Sequence, residues 1–473
     1  MNKKKLLIEN FIVYGLGQII YKIVPIAMIP ILVRLLPNSS YYLGINDLFN
    51  IIVSLTAVVG LMGLYDAVFR LFFDYTDQQI GARQELCSTA LLLTACFSAV
   101  WFFLLVIFRK EISILFFENE QLTGLVILCG INVLLTNVEN ILLTPTRMMN
   151  ERKRFIFGNT IISIFSYSVA LILVHCGHYI VALPLGMTLS LLIGIIYYGI
   201  CNRKWFHLFS FSASLIVPLL KIGVPLFPTF IIFWVFSSFD KVMILKILDV
   251  NANGLFSVAG KLAQVSHLIT AAFAAGWSYF NFATMQDKAR VKDFSKIMEC
   301  IMALGIVTFL ICRVLGNFVM RVCFTAEYAN LGDVFAYLFL APISSMIFQL
   351  MSSQFLLIKK TILSTFIAGG GVVINIFLNY LWINAYNILG ASMATVVSYI
   401  LIVITASIVL KCKKMIEITY REICILVAFG VVLCMDLLRL NIEYIYILCI
   451  VFAIGLAALY VKEFLLLIKG EKA

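Results

Sequence analysis

Apolar runs of about twenty residues recur from Phe11 to Leu467, and nearly every break in one register carries Lys or Arg. A helix rises 1.5 Å per residue, so ~20 apolar residues cover the ~30 Å of hydrocarbon in a bilayer. Lipid offers no water to unpaired backbone groups, so such runs cross it as helices. Hydropathy places about fourteen spans, at 11–36, 43–68, 86–108, 122–145, 155–176, 179–200, 217–245, 254–278, 295–316, 332–357, 362–383, 389–410, 422–438 and 443–466. The expected fold is an all-α polytopic membrane protein, with little of the 473 residues left for a soluble domain.

Charged residues make up 12% of the chain, about half the share usual in soluble domains. The net charge of +11 would suit nucleic acid. The basic residues sit in short loops, however, where they anchor topology and face anionic headgroups. Membrane lipids are therefore expected partners and nucleic acid is not. Met1 to Lys5 look like the start of a signal peptide, but Phe11 to Leu36 is too long for its apolar region and lacks a small-residue cleavage site. A retained first helix is expected. The twelve cysteines include no Cys-x-x-Cys, which points to buried thiols with no metal.

Orientation follows from the basic residues. With the N-terminus inside, the inner segments hold Lys3 to Lys5, Arg70 with Arg83, Arg147 with Arg152 to Arg154, Arg203 with Lys204, and Lys288 to Lys296. They also hold Lys359 with Lys360, Lys411 to Arg421, and Lys462 to Lys472. The outer segments hold Arg34, Arg109, Lys110, Lys241, Lys246, Arg313, Arg321 and Arg439. This roughly threefold bias puts both termini in the cytoplasm.

A parallel repeat is visible. The first hairpin carries Gly15, Pro25, Pro30, Arg34-Leu-Leu36 and then Gly44. The seventh span carries Gly223, Pro225, Pro228 and Lys246-Ile-Leu248, with Gly254 opening the next. Proline-interrupted helices at matching places in two halves point to a transporter's binding site. Pro25, Pro30, Pro225 and Pro228 are the expected hinges.

No hydrolytic or nucleotide-binding constellation stands out, so neither an enzyme nor ATP coupling is expected. Gly254 to Leu262 imitates a phosphate loop, but has five residues between its glycines and Leu262 where magnesium needs a hydroxyl. His175 and His178 supply too few ligands for zinc. The informative residues are charges inside spans, each costing ~2.5–3.5 kcal/mol at a helix centre. Lys22 lies about eleven residues into its span, roughly 16 Å deep and near the midplane, with Gln18 one turn earlier. Lys261, Lys241, Asp240 and Arg70 complete the expected substrate-binding set. Arg70 and Lys241 are equally readable as snorkelling to an interface. Asp66, which shares a helical face with Arg70 at i, i+4, and Glu139 are the ion-coupling candidates. The net intramembrane charge favours an anionic cargo.

Gly15-Leu-Gly-Gln18, Pro25, Pro30, Arg34-Leu-Leu-Pro37 and Gly44 resemble the start of bacterial oligosaccharide flippases of the Wzx type. Gly63-Leu-Tyr-Asp66-Ala-Val-Phe-Arg70 resembles that family's second-helix end. Lys221-Ile-Gly-Val-Pro225-Leu-Phe-Pro228, with Ser237-Ser-Phe-Asp240-Lys241, resembles its seventh helix. The resemblance implies the multidrug/oligosaccharidyl-lipid/polysaccharide exporter fold. In it, two six-helix bundles (1–210 and 211–415) form a V around a cavity, and 416–473 adds two helices. It implies a flippase of the bacterial cytoplasmic membrane that moves an undecaprenyl-diphosphate-linked oligosaccharide outward for O-antigen, capsule or exopolysaccharide. Polysaccharide polymerase and glycosyltransferases are the implied working partners. Cofactors are not implied; the energy source is the membrane potential or a proton or sodium gradient. The arginine cluster of lipid II flippases is missing from the first two helices, which disfavours peptidoglycan precursor. The rival reading is a cation-coupled multidrug exporter of the same fold; a membrane scaffold would not need the intramembrane lysines.

The topology is directly testable. Single-cysteine reporters placed after Asn150 and after Lys359 should be shielded from an impermeant thiol reagent in intact cells; labelling of both would refute the orientation.

Overall fold

The computed structural model describes residues 23–75, 78–207, 210–268, 270, 290–358 and 360–469. All regular structure among them is helical. The helices are α1 (Ile23–Leu35), α2 (Ser39–Leu61), α3 (Leu64–Phe72), α4 (Ile80–Ile107) and α5 (Arg109–Phe117). They continue with α6 (Thr123–Met148), α7 (Arg152–His175), α8 (Tyr179–Cys201), α9 (Ile216–Ile247) and α10 (Val250–Ala263). The last are α11 (Arg290–Cys323), α12 (Gly332–Leu357), α13 (Thr361–Cys412), α14 (Tyr420–Leu437) and α15 (Ile442–Lys469).

Nine helical segments among the described residues are long and apolar enough to cross a membrane. One of them, α13, joins two of the expected spans across a break at Asn387. The apolar stretches of α4 and α7 are only 22% and 17% covered by protein. Residues such as Ile107, Phe157 and Ile172 therefore face outward, a disposition that only lipid makes favourable at this scale. Helix α14 is less apolar, carrying Arg421, Glu422 and Asp436 within its 18 residues.

Two compact units divide the chain, Met1–Gly254 and Leu255–Ala473. In the first, α6 packs against α2, α4 and α8, and α7 packs on α8. Leu48, Phe49, Ile52, Cys129 and Val133 fill one end of this core. Leu64, Phe72, Leu86, Met148, Trp205 and Leu219 fill the other. In the second unit, α12 packs between α11 and α13, and α15 lies along α11.

Local signals set the helix ends. The Asn38 side chain accepts from the Tyr41 amide and caps α2. Met62 (φ 44°) and Gly63 (φ 71°) then take left-handed conformations and stop it. The expected second span is therefore two helices, α2 and α3. Thr419, followed three residues later by Glu422, caps α14 as half of a capping box. Pro225 and Pro228 both lie inside the continuous α9, so neither donates an amide hydrogen bond to the preceding turn.

Glycines decide where backbones meet. A Cβ at Gly44 would lie 3.2 Å from the Gly254 amide nitrogen, and one at Gly254 would lie 2.7 Å from the Ser40 carbonyl carbon. Gly44 and Gly254, singled out as openers of the second and eighth spans, touch here. At the other end of α2, a Cβ on Gly63 would come within 2.9 Å of the Gly223 Cα. Helices α9 and α10 are thus joined to α2 at both its ends.

Gly254→Ala should overpack the first of these contacts, costing about 1–3 kcal/mol. Gly124→Ala, where the added carbon meets nothing within 4 Å, should be neutral. Thermal denaturation of the two purified variants, followed by fluorescence-detected gel filtration, checks the difference.

Candidate functional site

Helix α2 enters the first unit with Gly44-Ile-Asn-Asp47, and Asp47 is 3% exposed. A charge so placed must be met by an opposite charge or by water. The cation comes from α9: Lys241 Nζ lies 2.9 Å from Asp47 Oδ1. Asp240 is buried beside it, and its Oδ1 accepts the Lys241 backbone amide at 2.8 Å. Asn253 on α10 donates its side-chain amide to Asp47 Oδ2 at 3.5 Å and to the Gly44 carbonyl at 3.4 Å. Ser40 donates to Asn251 Oδ1 at 3.3 Å. The cluster surrounds the Gly44–Gly254 contact, so α2 is held to the distant pair of consecutive helices α9 and α10 by backbone contact and by charge at one place.

The remaining expected residues lie elsewhere. Lys22 and Gln18 lie outside the described residues. Pro25 and Pro30 lie on α1. Lys261 is half-buried on α10 and belongs to the second unit. Arg70 is exposed and pairs with Asp74 on the next turn, away from Asp66, which is half-buried on α3. Asp66 and Arg70 do not form the i, i+4 pair that their spacing allowed. Glu139 is buried on α6 in the interior of the first unit, against Gly194 of α8. A Cβ added at Gly194 would lie 3.2 Å from Glu139 Cγ, so the glycine makes room for the carboxylate. Around it α6 bears a buried polar stripe. Asn132 donates to Thr188 at 2.9 Å, and Asn137 donates to Ser98 at 2.9 Å.

Asp47 escaped the sequence reading, though its signal was present: it is a carboxylate within an apolar run. Nothing near it names Lys241 as its partner, 194 residues away. Arg313 was counted among the outer-loop basic residues and is instead 2% exposed inside α11. It binds Asp333 and, at 2.6 Å, Asp436. Burial requires that pairing, since an unpaired guanidinium could not remain there.

No group of three or more metal-ligating side chains occurs among the described residues.

The sequence model of the family described as "Polysaccharide biosynthesis protein" matches residues 31–331. No curated protein matches the sequence. The structure is similar to that of the lipid II flippase MurJ in an inward closed conformation, with a TM-score of 0.69 at 14% identity over 96% of this chain and 100% of that one. It is also similar to an inward-facing multidrug resistance MATE family transporter of the MOP superfamily, with a TM-score of 0.63 at 15% identity over 83% and 95% of the two chains. A third likeness is to a MOP superfamily transporter from Pyrococcus furiosus described for the reversed polarity of its binding pocket (TM-score 0.54, 15% identity, 87% and 96% covered). At these identities the likeness establishes the exporter fold.

Breaking the Asp47–Lys241 pair from one side leaves the other charge uncompensated. Lys241 is a quarter exposed, which lowers the usual cost, so Lys241→Met or Asp47→Asn alone should cost about 1–3 kcal/mol. The double variant should lose clearly less than the sum of the two. A double-mutant cycle on thermal stability measures this; additive losses would mean that the pair carries no coupling.

Proposed function

Because this chain belongs to the polysaccharide biosynthesis protein family, we propose that it is a flippase. Its cargo is an undecaprenyl-diphosphate-linked oligosaccharide, which it carries from the inner to the outer leaflet of the bacterial cytoplasmic membrane for O-antigen, capsule or exopolysaccharide assembly. The observation that supports this is the family match lying on a fold shared with a lipid II flippase.

A sugar headgroup cannot cross hydrocarbon unaided, since each unpaired hydroxyl costs several kcal/mol. A hydrated cationic cavity lowers that barrier while the polyprenyl tail stays in lipid. Lys22, Gln18 and Lys261 are the residues assigned to its lining. Lys22 carries the largest share, because a midplane lysine cannot snorkel far to water. Lys241 is held by Asp47 and meets the cargo only when that pair parts. Arg70, exposed at the end of α3, serves headgroup capture. Pro25, Pro30, Pro225 and Pro228 let their helices bend during alternating access.

A diphosphate with roughly two net charges moving outward across 100 mV gains about 4–5 kcal/mol. The membrane potential is thus a sufficient drive for an anionic cargo. Where a proton or sodium ion is coupled instead, Glu139 is the first choice for its carrier and Asp66 the second. The rival reading, a cation-coupled drug exporter, draws on the MATE likeness.

A strain lacking this protein should accumulate lipid-linked oligosaccharide in the inner leaflet; drug sensitivity without that accumulation would favour the rival. Lys22→Ala should abolish or strongly reduce export at a normal protein level, and Lys22→Arg should retain part of it. Full complementation of the null strain by Lys22→Ala would remove the cationic-cavity mechanism.

A further inference from the structure

Arg313, buried in α11, is the base of a second polar assembly. Its guanidinium contacts Asp333 at the start of α12. It also reaches both carboxylate oxygens of Asp436 on α14, at 2.6 and 3.4 Å. The Tyr337 hydroxyl donates to Asp436 at 2.7 Å. Over this base lies a cavity of about 360 Å³, lined by Asp333, Tyr386, Asn387 and Arg439. Its walls come from the break in α13 and the turn between α14 and α15. The basic-residue pattern assigns that loop end to the outside.

The break is unusual. Asn387 has φ 54° and ψ −139°, a backbone region that residues other than glycine occupy only when their surroundings impose it. The surroundings do so on both sides. Arg439 donates to the Ala385 carbonyl, and the Tyr386 hydroxyl donates to the Leu437 carbonyl at 2.7 Å. The Arg439 guanidinium also lies over the Tyr386 ring, 5.2 Å from its centre. Asn387 is thereby fixed at the cavity wall, and its side-chain amide has no hydrogen-bond partner among the described residues.

The charges of the lining cancel. Arg313 is already neutralised by two carboxylates, so an anion finds no free buried cation. A cation would have to take Asp333 and Asp436 from Arg313. A neutral ligand rich in hydroxyls meets no such penalty. Asp333 accepts, Arg439 donates, Asn387 does both, and Tyr386 adds an aromatic wall. The volume lies at the lower end of the ~300–1,000 Å³ of small-molecule clefts, which is room for about one or two sugar rings.

We propose that this cavity of the second unit, with Asn387, Arg439, Asp333 and Tyr386 as its ligand-facing residues, binds a neutral sugar unit at the outer face. The proposal rests on the flippase reading only for the source of the sugar, either the glycan of a delivered cargo or a free saccharide.

The test uses the full chain in nanodiscs and saturation-transfer NMR with free glucose, galactose, N-acetylglucosamine and N-acetylgalactosamine. At least one of these should give saturable transfer to the wild type. Asn387→Gly, which keeps the backbone conformation accessible, and Arg439→Ala should each weaken it at least tenfold. No saturable transfer from any of the four, or transfer to both variants equal to wild type, overturns the site. Slower export in the same variants at normal protein level assigns the ligand to the cargo's glycan, and unchanged export assigns it to free sugar. Sugar binding by a protein that fails to complement the flippase-null strain would uphold the site and refute the flippase reading. Complementation without sugar binding would do the reverse.

Discussion

A charge taken into hydrocarbon must be met by an opposite charge or by water, and the arrangement of each unit follows from how its charges are met. Asp47 meets Lys241 in the first unit, and Arg313 meets Asp333 and Asp436 in the second. Glu299 is met by Tyr460 at 2.6 Å, by Thr419 at 2.8 Å and by Arg421 at 3.8 Å. Each set joins helices far apart in the chain. Apolar contacts between lipid-like surfaces discriminate weakly among registers. These few polar junctions therefore fix which turn of one helix faces which turn of another. The two C-terminal helices illustrate the point: Asp436 and Tyr460 tie α14 and α15 to α11 and α12 through Arg313 and Glu299.

The helices were legible because their lengths are set by bilayer thickness and their ends by loop charge, both of which are local. From α2 onward they begin within a turn or two of the expected spans. The short helix α5 was missed because nine residues between spans carry no crossing signal. Pairing was not legible. Lys241 read equally well as a snorkelling side chain or a cargo contact, and only the fold brings Asp47 to it. Arg313 read as an outer anchor because it stands near a span's end, where hydropathy cannot separate a loop from a buried turn. The strained backbone at Asn387 falls on neither glycine nor proline; the nearest local signal is Gly390, where an added Cβ would lie 2.9 Å from the Ile383 amide nitrogen.

A fold kept at 14% identity to a lipid II flippase is one whose demands on individual residues are few. Span length and the placing of close-contact glycines are demands of this kind. Cargo chemistry is a separate matter, carried by a handful of side chains that vary on the same scaffold. Assignment to a family of polysaccharide biosynthesis and the identity of the glycan are thus conclusions of different kinds, one from the scaffold and one from its lining.

The meeting of Gly44 with Gly254 has a mechanical meaning. Backbone meets backbone at this point, inside an apolar cluster where Ile45 and Leu48 of α2 pack with Leu245 and Val250. That packing is joined by the Asp47–Lys241 pair and by the hydrogen bonds of Asn253 and Asn251. Water can replace each of these bonds as soon as it reaches them. The polar part of such a joint is a latch rather than a weld, since each of its bonds is one that water can replace.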